Sequence, residues 1–257
     1  MQAQYTIHGE KYATSQPHAE GYSLARAVEL VQPQAHWRAL DIATGAGHFA
    51  LAFAPHIGHI TATDLTPKML KVAADLAHTR AVTNISFQEA DAQNLPFAPA
   101  SFDLVLCRIA PHHFPDVARF VQECARVLRP GGIFVLVDNV VPEGEAGAFI
   151  NDFERRRDPS HARALSQAEW RAQLEAAGFA VTHAETWGKR MTFQPWAERM
   201  GASPATIAQL RADLVHAQGD VAAYFAPQDP AQDSAQDSES ELTFQLEEGI
   251  FIGRLNQ

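Results

Sequence analysis

The chain has 257 residues, 46% hydrophobic and 19% charged, with 30 acidic against 20 basic residues and a formal net charge of −10. That length suits one large α/β domain with added cap elements or two small domains, and the composition is that of an ordinary globular protein. The acidic balance, with no basic cluster beyond Arg155-Arg156-Arg157, argues against a nucleic-acid backbone as the main partner.

In chain order, residues 1 to 18 are mixed and polar, with Tyr5, Tyr12 and His18 scattered through an expected arm. Tyr22, Leu24, Ala25, Ala27, Val28, Leu30 and Val31 then give a helical period ahead of Pro33. Ala39-Leu40-Asp41-Ile42 reads as a first strand, Ala43 to Gly47 as a glycine-bracketed turn, and Phe49 to Ala54 as a helix stopped by Pro55. The alternation continues with strand Ile60–Leu65, a helix capped by Thr66 with Pro67 in its first turn, and strand Ile85–Ala90 ending at Asp91. Strand Phe102–Cys107, a helix through Val117, Phe120, Val121, Cys124, Val127 and Leu128, and strand Ile133–Asp138 follow.

Beyond Asn139 the regular alternation breaks. Phe149, Ile150 and Phe153 give a short helical stripe before the arginine run, and Ser166-Gln167-Ala168-Glu169 is a capping box that opens a helix through Trp170 and Leu174. Phe179–Trp187 reads as a sixth strand, Ser203-Pro204 starts another helix, and residues 226–241 read as a mobile polar loop. Leu242–Leu255 reads as the last strand.

Apolar strands alternating with helices call for a parallel sheet covered on both faces, and ligands of such sheets bind at the carboxyl ends of the strands. Asp41, Asp64, Asp91, Arg108 and Asp138 all fall at those ends. One acid there is ordinary loop chemistry; four of them beside a glycine loop make a cofactor cleft the better reading. Gly45 and Gly47 permit positive φ and a close ligand approach, and the following helix aims its free N–H groups into the same space. The G-x-G-x-x-A spacing also fits a loose dinucleotide motif. Asp41 separates the two, because a carboxylate just ahead of the loop repels a pyrophosphate and suits the sulfonium and ammonium of S-adenosylmethionine.

The segments Asp41-Ile-Ala-Thr-Gly45-Ala-Gly47, Asp64-Leu65-Thr66-Pro67-Lys68-Met69-Leu70, Asp91-Ala92-Gln93-Asn94-Leu95-Pro96-Phe97, Ser101-Phe102-Asp103 and Leu128-Arg129-Pro130-Gly131-Gly132 together closely resemble class I S-adenosylmethionine-dependent methyltransferases. Within that group the chain resembles the small-molecule branch that holds the ubiquinone and menaquinone C-methyltransferases. The resemblance implies a doubly wound Rossmann-like α/β fold, a seven-stranded sheet of order 3-2-1-4-5-7-6 with the last strand antiparallel, and helical cap insertions. It implies that Gly45 and Gly47 pass under the methionine part and that Asp41 reaches the ammonium through water. Asp64 would take the ribose hydroxyls, Leu65 and Met69 would pack on adenine, Asp91 and the Ala92 N–H would meet the adenine edge, and the backbone around Arg108 would meet the ammonium. The product would be S-adenosylhomocysteine. The Asn-Pro-Pro-Tyr type motif of nucleic-acid and protein-amide methyltransferases is replaced by Ala110-Pro111-His112-His113.

His112 and His113 follow the strand that ends beside the donor, so one of them is the candidate base for an acceptor that loses a proton. The bland alternative makes one a helix cap and the other a buried or solvated ring. Asp138 is a candidate to orient a histidine or a substrate hydroxyl, and Arg157 and His161 are candidates for an anionic substrate group; a solvated helix end is the competing reading of the arginines. The expected organisation is a single domain over 1–257: arm and helix 1–34, cofactor core 35–140, cap elements 141–178 and 189–225, and loop 226–241.

Trp170, Trp187, Phe193 and Trp196 suggest apolar, aromatic cap walls around a small-molecule acceptor, with ordinary core packing as the commoner reading of aromatics at such spacing. Met1–Glu10 has no apolar leader core and no apolar run reaches membrane-spanning length, so no membrane span is expected. Cys107 and Cys124 lack metal-ligand spacing; no metal is expected, and both read as buried thiols of a cytoplasmic protein. Two rival readings stand beside the methyltransferase: a nicotinamide-dependent oxidoreductase and a non-catalytic S-adenosylmethionine-binding regulator. The acceptor and the oligomeric state, a homodimer included, are left open.

Overall fold

The computed structural model describes residues 21–229 and 241–257. The arm expected at 1–18 and residues 230–240 of the expected polar loop lie outside the described residues.

Burial in the central strands alternates between two apolar faces, which is why they read as continuous hydrophobic runs. Strands β1 (Arg38–Ile42), β2 (His59–Asp64), β3 (Ile85–Glu89), β4 (Phe102–Arg108), β5 (Leu128–Val140), β6 (Phe179–Thr192) and β7 (Thr243–Leu255) form one sheet of order β3-β2-β1-β4-β5-β7-β6. Neighbours from β3 to β5 are parallel, and β7 lies antiparallel between β5 and β6. On one face Leu40, Val105, Cys107, Phe134, Leu136 and Phe251 pack with Phe120 and Cys124 of helix α4 (Val117–Val127) and with Trp170 and Leu174 of α6 (Gln167–Ala176). On the other, Ala39, Leu104, Leu106, Val135, Val137 and Ile250 pack with Ala27 and Val31 of α1 (Tyr22–Val31) and Phe49 and Phe53 of α2 (His48–Phe53). Helix α3 (Pro67–Thr79) runs between β2 and β3.

A third core lies beyond the sheet. Ile150 and Phe153 of α5 (Gly144–Arg157) meet Phe193 and Trp196 of α7 (Phe193–Glu198), Leu210 and Leu214 of α8 (Pro204–Val215), and Tyr224 and Phe225 of α9 (Gly219–Phe225). Met191, Phe244 and Leu246 join it from β6 and β7, which stay paired out to Thr192 and Thr243. The cap is thus carried on the long ends of two strands.

Several local expectations change. β6 runs five residues past the expected Trp187, so Lys189–Thr192 belong to the sheet and not to the cap. Trp170 is core beneath the sheet, not a cap wall, and Trp187 packs edge-on to Tyr22 at 5.1 Å between ring centroids. Phe149 is 36% exposed, so only Ile150 and Phe153 of its stripe face inward. Thr66 stands at the N-cap of α3 without a side-chain capping bond; its backbone N–H donates to Asp64 Oδ1 at 2.9 Å. Ser166 and Glu169 do form the reciprocal capping box.

Candidate active site

The carboxyl ends of β1, β2 and β4 open into a cleft of about 510 Å³. Its first wall is the loop after β1. Asp41 Oδ2 accepts from Thr44 Oγ1 at 2.6 Å and from the Ala50 N–H at 3.1 Å, which ties the loop to the first turn of α2. Gly45, at φ +55°, donates its N–H to Asp64 Oδ2 at 3.0 Å. Two acids therefore fix the turn from either end. Burial pushes the Asp41 carboxyl up to about 7, against the lowering pull of its two donors and Arg108. Asp64 is raised too, chiefly by burial.

Two residues without a glycine's freedom also adopt positive φ where the chain leaves the sheet: Ala43 at +53° after β1 and Ile109 at +51° after β4. Both line the cleft. A β-branched residue in that region is strained, and such strain concentrates where backbone is aimed at a ligand.

The second wall follows β4. Pro111–His113 form a single 3₁₀ turn beside β5. Asp138, fully buried, accepts twice from one residue: from the His112 backbone N–H at 2.8 Å and from its ring Nδ1 at 2.5 Å. A carboxylate only accepts, so the proton sits on Nδ1, and Nε2 is the nitrogen not committed to Asp138. Burial disfavours charge on this ring, yet the Asp138 carboxylate, through its charge and hydrogen bond, more than reverses that and raises the His112 pKa. The His113 ring lies tilted by 47° to that of His112, 4.1 Å away between centroids, and donates from Nδ1 to the Ser160 carbonyl at 2.9 Å. Burial first, and His112 second, push His113 down to about 3. Neighbouring histidines thus hold opposite protonation tendencies.

The third wall comes from the cap and the strand ends that carry it: Arg157, Asp158, Ser160, Lys189, Met191, Trp196, Arg199 and Leu246. The Arg157 guanidinium lies 4.5 Å from the Trp196 ring centroid and bonds to Glu154 Oε2 at 3.0 Å.

Comparison with known proteins settles the family. A model of the methyltransferase domain matches residues 40–136. An uncharacterized methyltransferase of Bacillus subtilis, YcgJ, is 38% identical over 214 residues, spanning 83% of this chain and 85% of that protein. The chain belongs to the S-adenosylmethionine-dependent methyltransferases. The YcgJ crystal structure covers 92% of this methyltransferase and 99% of itself, at 34% identity and a TM-score of 0.84. A demethylmenaquinone methyltransferase of Deinococcus radiodurans is 37% identical over 132 residues, 50% of this chain and 53% of that protein. S-Adenosylmethionine is the cofactor, and the nicotinamide reading falls away.

The cleft of this methyltransferase fits that cofactor. Asp64 and Asp91 present carboxylates, Leu65 and Met69 present apolar surface, and a Cβ added at Gly45 would point at the Met69 methyl 3.8 Å away. Asp41, Gly45, Asp64, Leu65, Met69, Asp91, Ala92, Arg108, His112, His113 and Arg157 all line one cleft, as a shared site requires.

Three expected site residues do not line it. Gly47 faces α3 instead: at φ +86°, an added Cβ would sit 3.0 Å from Ala73 Cβ, so packing explains this glycine. Asp138 reaches the cleft only through His112. His161 lies behind the histidine pair, 5.5 Å from His112 between centroids, with Nε2 donating to Asn151 Oδ1 at 2.8 Å. The arginine run divides: Arg155 bonds to the Ala162 carbonyl, Arg156 to Asp152 and Asp213, and Arg157 alone lines the cleft.

Sequence reading missed His48, Lys189 and Arg199, all of which line the cleft. Lys189 sits in an alternating strand, where a lysine reads as solvent-facing. Among the described residues, no group of three or more His, Cys, Asp or Glu is arranged to hold a metal, and no helix is long and apolar enough to cross a membrane. Cys107 and Cys124 are buried free thiols.

Proposed function

We propose that this methyltransferase methylates a small, largely apolar or aromatic molecule at an atom that loses a proton, with His112 as base and Asp138 as the group that positions it. The pair of hydrogen bonds that His112, at the edge of the cleft, donates to Asp138 is the observation that carries this reading. A histidine held through Nδ1 turns its other nitrogen into the acceptor, which is how an imidazole is set up for proton abstraction. S-Adenosylmethionine supplies a methyl group already activated on a sulfonium. The protein's own part is alignment and exclusion of water, worth several powers of ten, plus removal of the acceptor's proton.

Asp64 would hold the ribose hydroxyls, Leu65 and Met69 the adenine faces, and Asp91 with the Ala92 N–H the adenine edge. Gly45, the Arg108 backbone and Asp41 would meet the methionine part. Phe114, Met191, Trp196 and Leu246 offer apolar surface to an acceptor ring. A relative named for demethylmenaquinone supports a small-molecule acceptor, and the net charge of −10 counts against a nucleic acid.

The test pairs ligand-dependent melting with transfer of labelled methyl groups. S-Adenosylmethionine and S-adenosylhomocysteine at about a hundred times their dissociation constants stabilise by about 2.7 kcal/mol. Asp64→Ala removes that shift, and NAD gives none. Labelled methyl transfer to phenols and enolisable ketones is then expected from wild type and lost in His112→Gln. Full turnover in His112→Gln would refute the base.

A further inference from the structure

We propose that the acceptor carries a carboxylate, which docks against Lys189, Arg157 and Arg199 on the cap-side wall of the cleft. This rests on the reading above that the acceptor occupies that part of the cleft.

In a chain with ten more acidic than basic residues, the wall built by the cap gathers three cations. Arg157 comes from the end of α5, Lys189 from β6 and Arg199 from the turn after α7. Glu154 bonds to Arg157, Glu248 bonds to Lys189, and neither lines the cleft. The Lys189–Glu248 contact is long, at 3.4 Å between Nζ and Oε2, which leaves an ammonium with three donors weakly satisfied.

Burial lowers the Lys189 pKa and Glu248 opposes it, while Arg108 and Arg199 add repulsion, so Arg199 lies close enough to Lys189 for their charges to be felt together. The one carboxylate on this stretch of wall, Asp158, is already committed to the Ser160 N–H at 2.9 Å and hydroxyl at 2.6 Å. The Arg157 guanidinium lies over the Trp196 ring, 4.5 Å from its centroid, and such a planar group can grip a carboxylate with two bonds.

A neutral ring filling this space would strip water from the Lys189 ammonium and return nothing for it, a costly exchange for a charge drawn out of solvent. A carboxylate returns charge-assisted hydrogen bonds. Met191, Trp196 and Leu246 lie beside the same cations, so the acceptor class that matches the whole wall is an aromatic hydroxy acid.

The test uses the full chain saturated with S-adenosylhomocysteine and titrated calorimetrically with salicylate, para-hydroxybenzoate and para-coumarate, each against its primary amide. The acids should bind at least about tenfold more tightly than the amides, the scale of one charge-assisted bond. Lys189→Met and Arg199→Gln should abolish that preference, and Lys189→Arg should keep it, all with unchanged affinity for S-adenosylhomocysteine. Equal binding of acids and amides, or no binding of any acid at millimolar concentration, overturns this proposal. Failure of S-adenosylhomocysteine itself to bind would instead strike at the cofactor cleft, so the two failures are told apart within one titration series.

Discussion

Ser23 Oγ accepts a hydrogen bond from Arg108 Nε at 3.0 Å, joining the N-terminal helix α1 to the end of β4 across 85 positions of sequence. Ser23 is fully buried and Arg108 faces Asp41 and Glu248, so this bond helps satisfy a charge held out of water. Ser23→Ala should cost about 1–3 kcal/mol, the range for removing one partner of a buried charged group. Chemical denaturation reads that loss. A loss under half a kcal/mol, on the order of a surface substitution, would mean that the guanidinium does not depend on the serine.

Gly47 and Ala73 set a packing limit between the glycine loop and α3. Gly47→Ala forces both a positive φ and a contact of 3.0 Å between Cβ atoms. The expected loss is about 1–3 kcal/mol. Ala73→Gly on its own weakens a helix by about 1 kcal/mol, yet in the double mutant it should relieve part of the clash. Urea titrations of all four proteins give the coupling; strictly additive losses would assign the whole effect to the backbone of residue 47.

His112 must be neutral to act as base, and its pKa is held above the ordinary histidine value. Turnover at saturating donor should therefore rise with pH through a limb displaced to the alkaline side of 6.5. Asp138→Asn removes the carboxylate that raises the pKa, so the limb should move to lower pH while maximal turnover falls. His112→Gln should lower turnover by about a hundredfold or more without changing S-adenosylmethionine affinity. His113→Gln should spare most of it, since its Nδ1 is committed to the Ser160 carbonyl and its pKa is already near 3.

His161 supplies a pH dependence of stability rather than of chemistry. Burial, then the neighbouring His112 and His113, depress its pKa from 6.5 to about 2. Below 6.5 the unfolded chain binds a proton that the folded chain refuses, so stability is full above that value and falls as the pH drops towards 2. The slope from one such group is about 1.4 kcal/mol per pH unit. His161→Gln keeps a donor for Asn151 Oδ1 without the titration. Its urea midpoint should therefore lose stability less steeply than wild type across weakly acidic pH. Parallel slopes would show that His161 titrates normally.

The parallel βα alternation and the row of acids at the strand ends were legible because they are written in short βα units, whereas the strand order came from the family resemblance. A strand, an acid at its end, a glycine turn and a helix are fixed by neighbours within about twenty residues, and each motif lands at the same edge of a parallel sheet. Asp41, Gly45, Asp64 and Asp91 thus fall together at one edge from the pattern alone, and Ala92 joined them only through the resemblance. Gly47 could not be separated from Gly45 by the same means, since only the approach of Ala73 reveals which glycine answers to packing.

By itself the sequence determined the doubly wound sheet, its edge of acids and the family. Tertiary structure alone decided which histidine is held by Asp138, because that contact depends on β4 and β5 lying side by side and on the 3₁₀ turn folding back over the second of them. It also decided that Arg157, Lys189 and Arg199 line one cleft. They come from a helix end, a strand and a turn, and along the chain each looks like an ordinary solvated cation; a cap carried on the extended ends of β6 and β7 brings their charges into one wall.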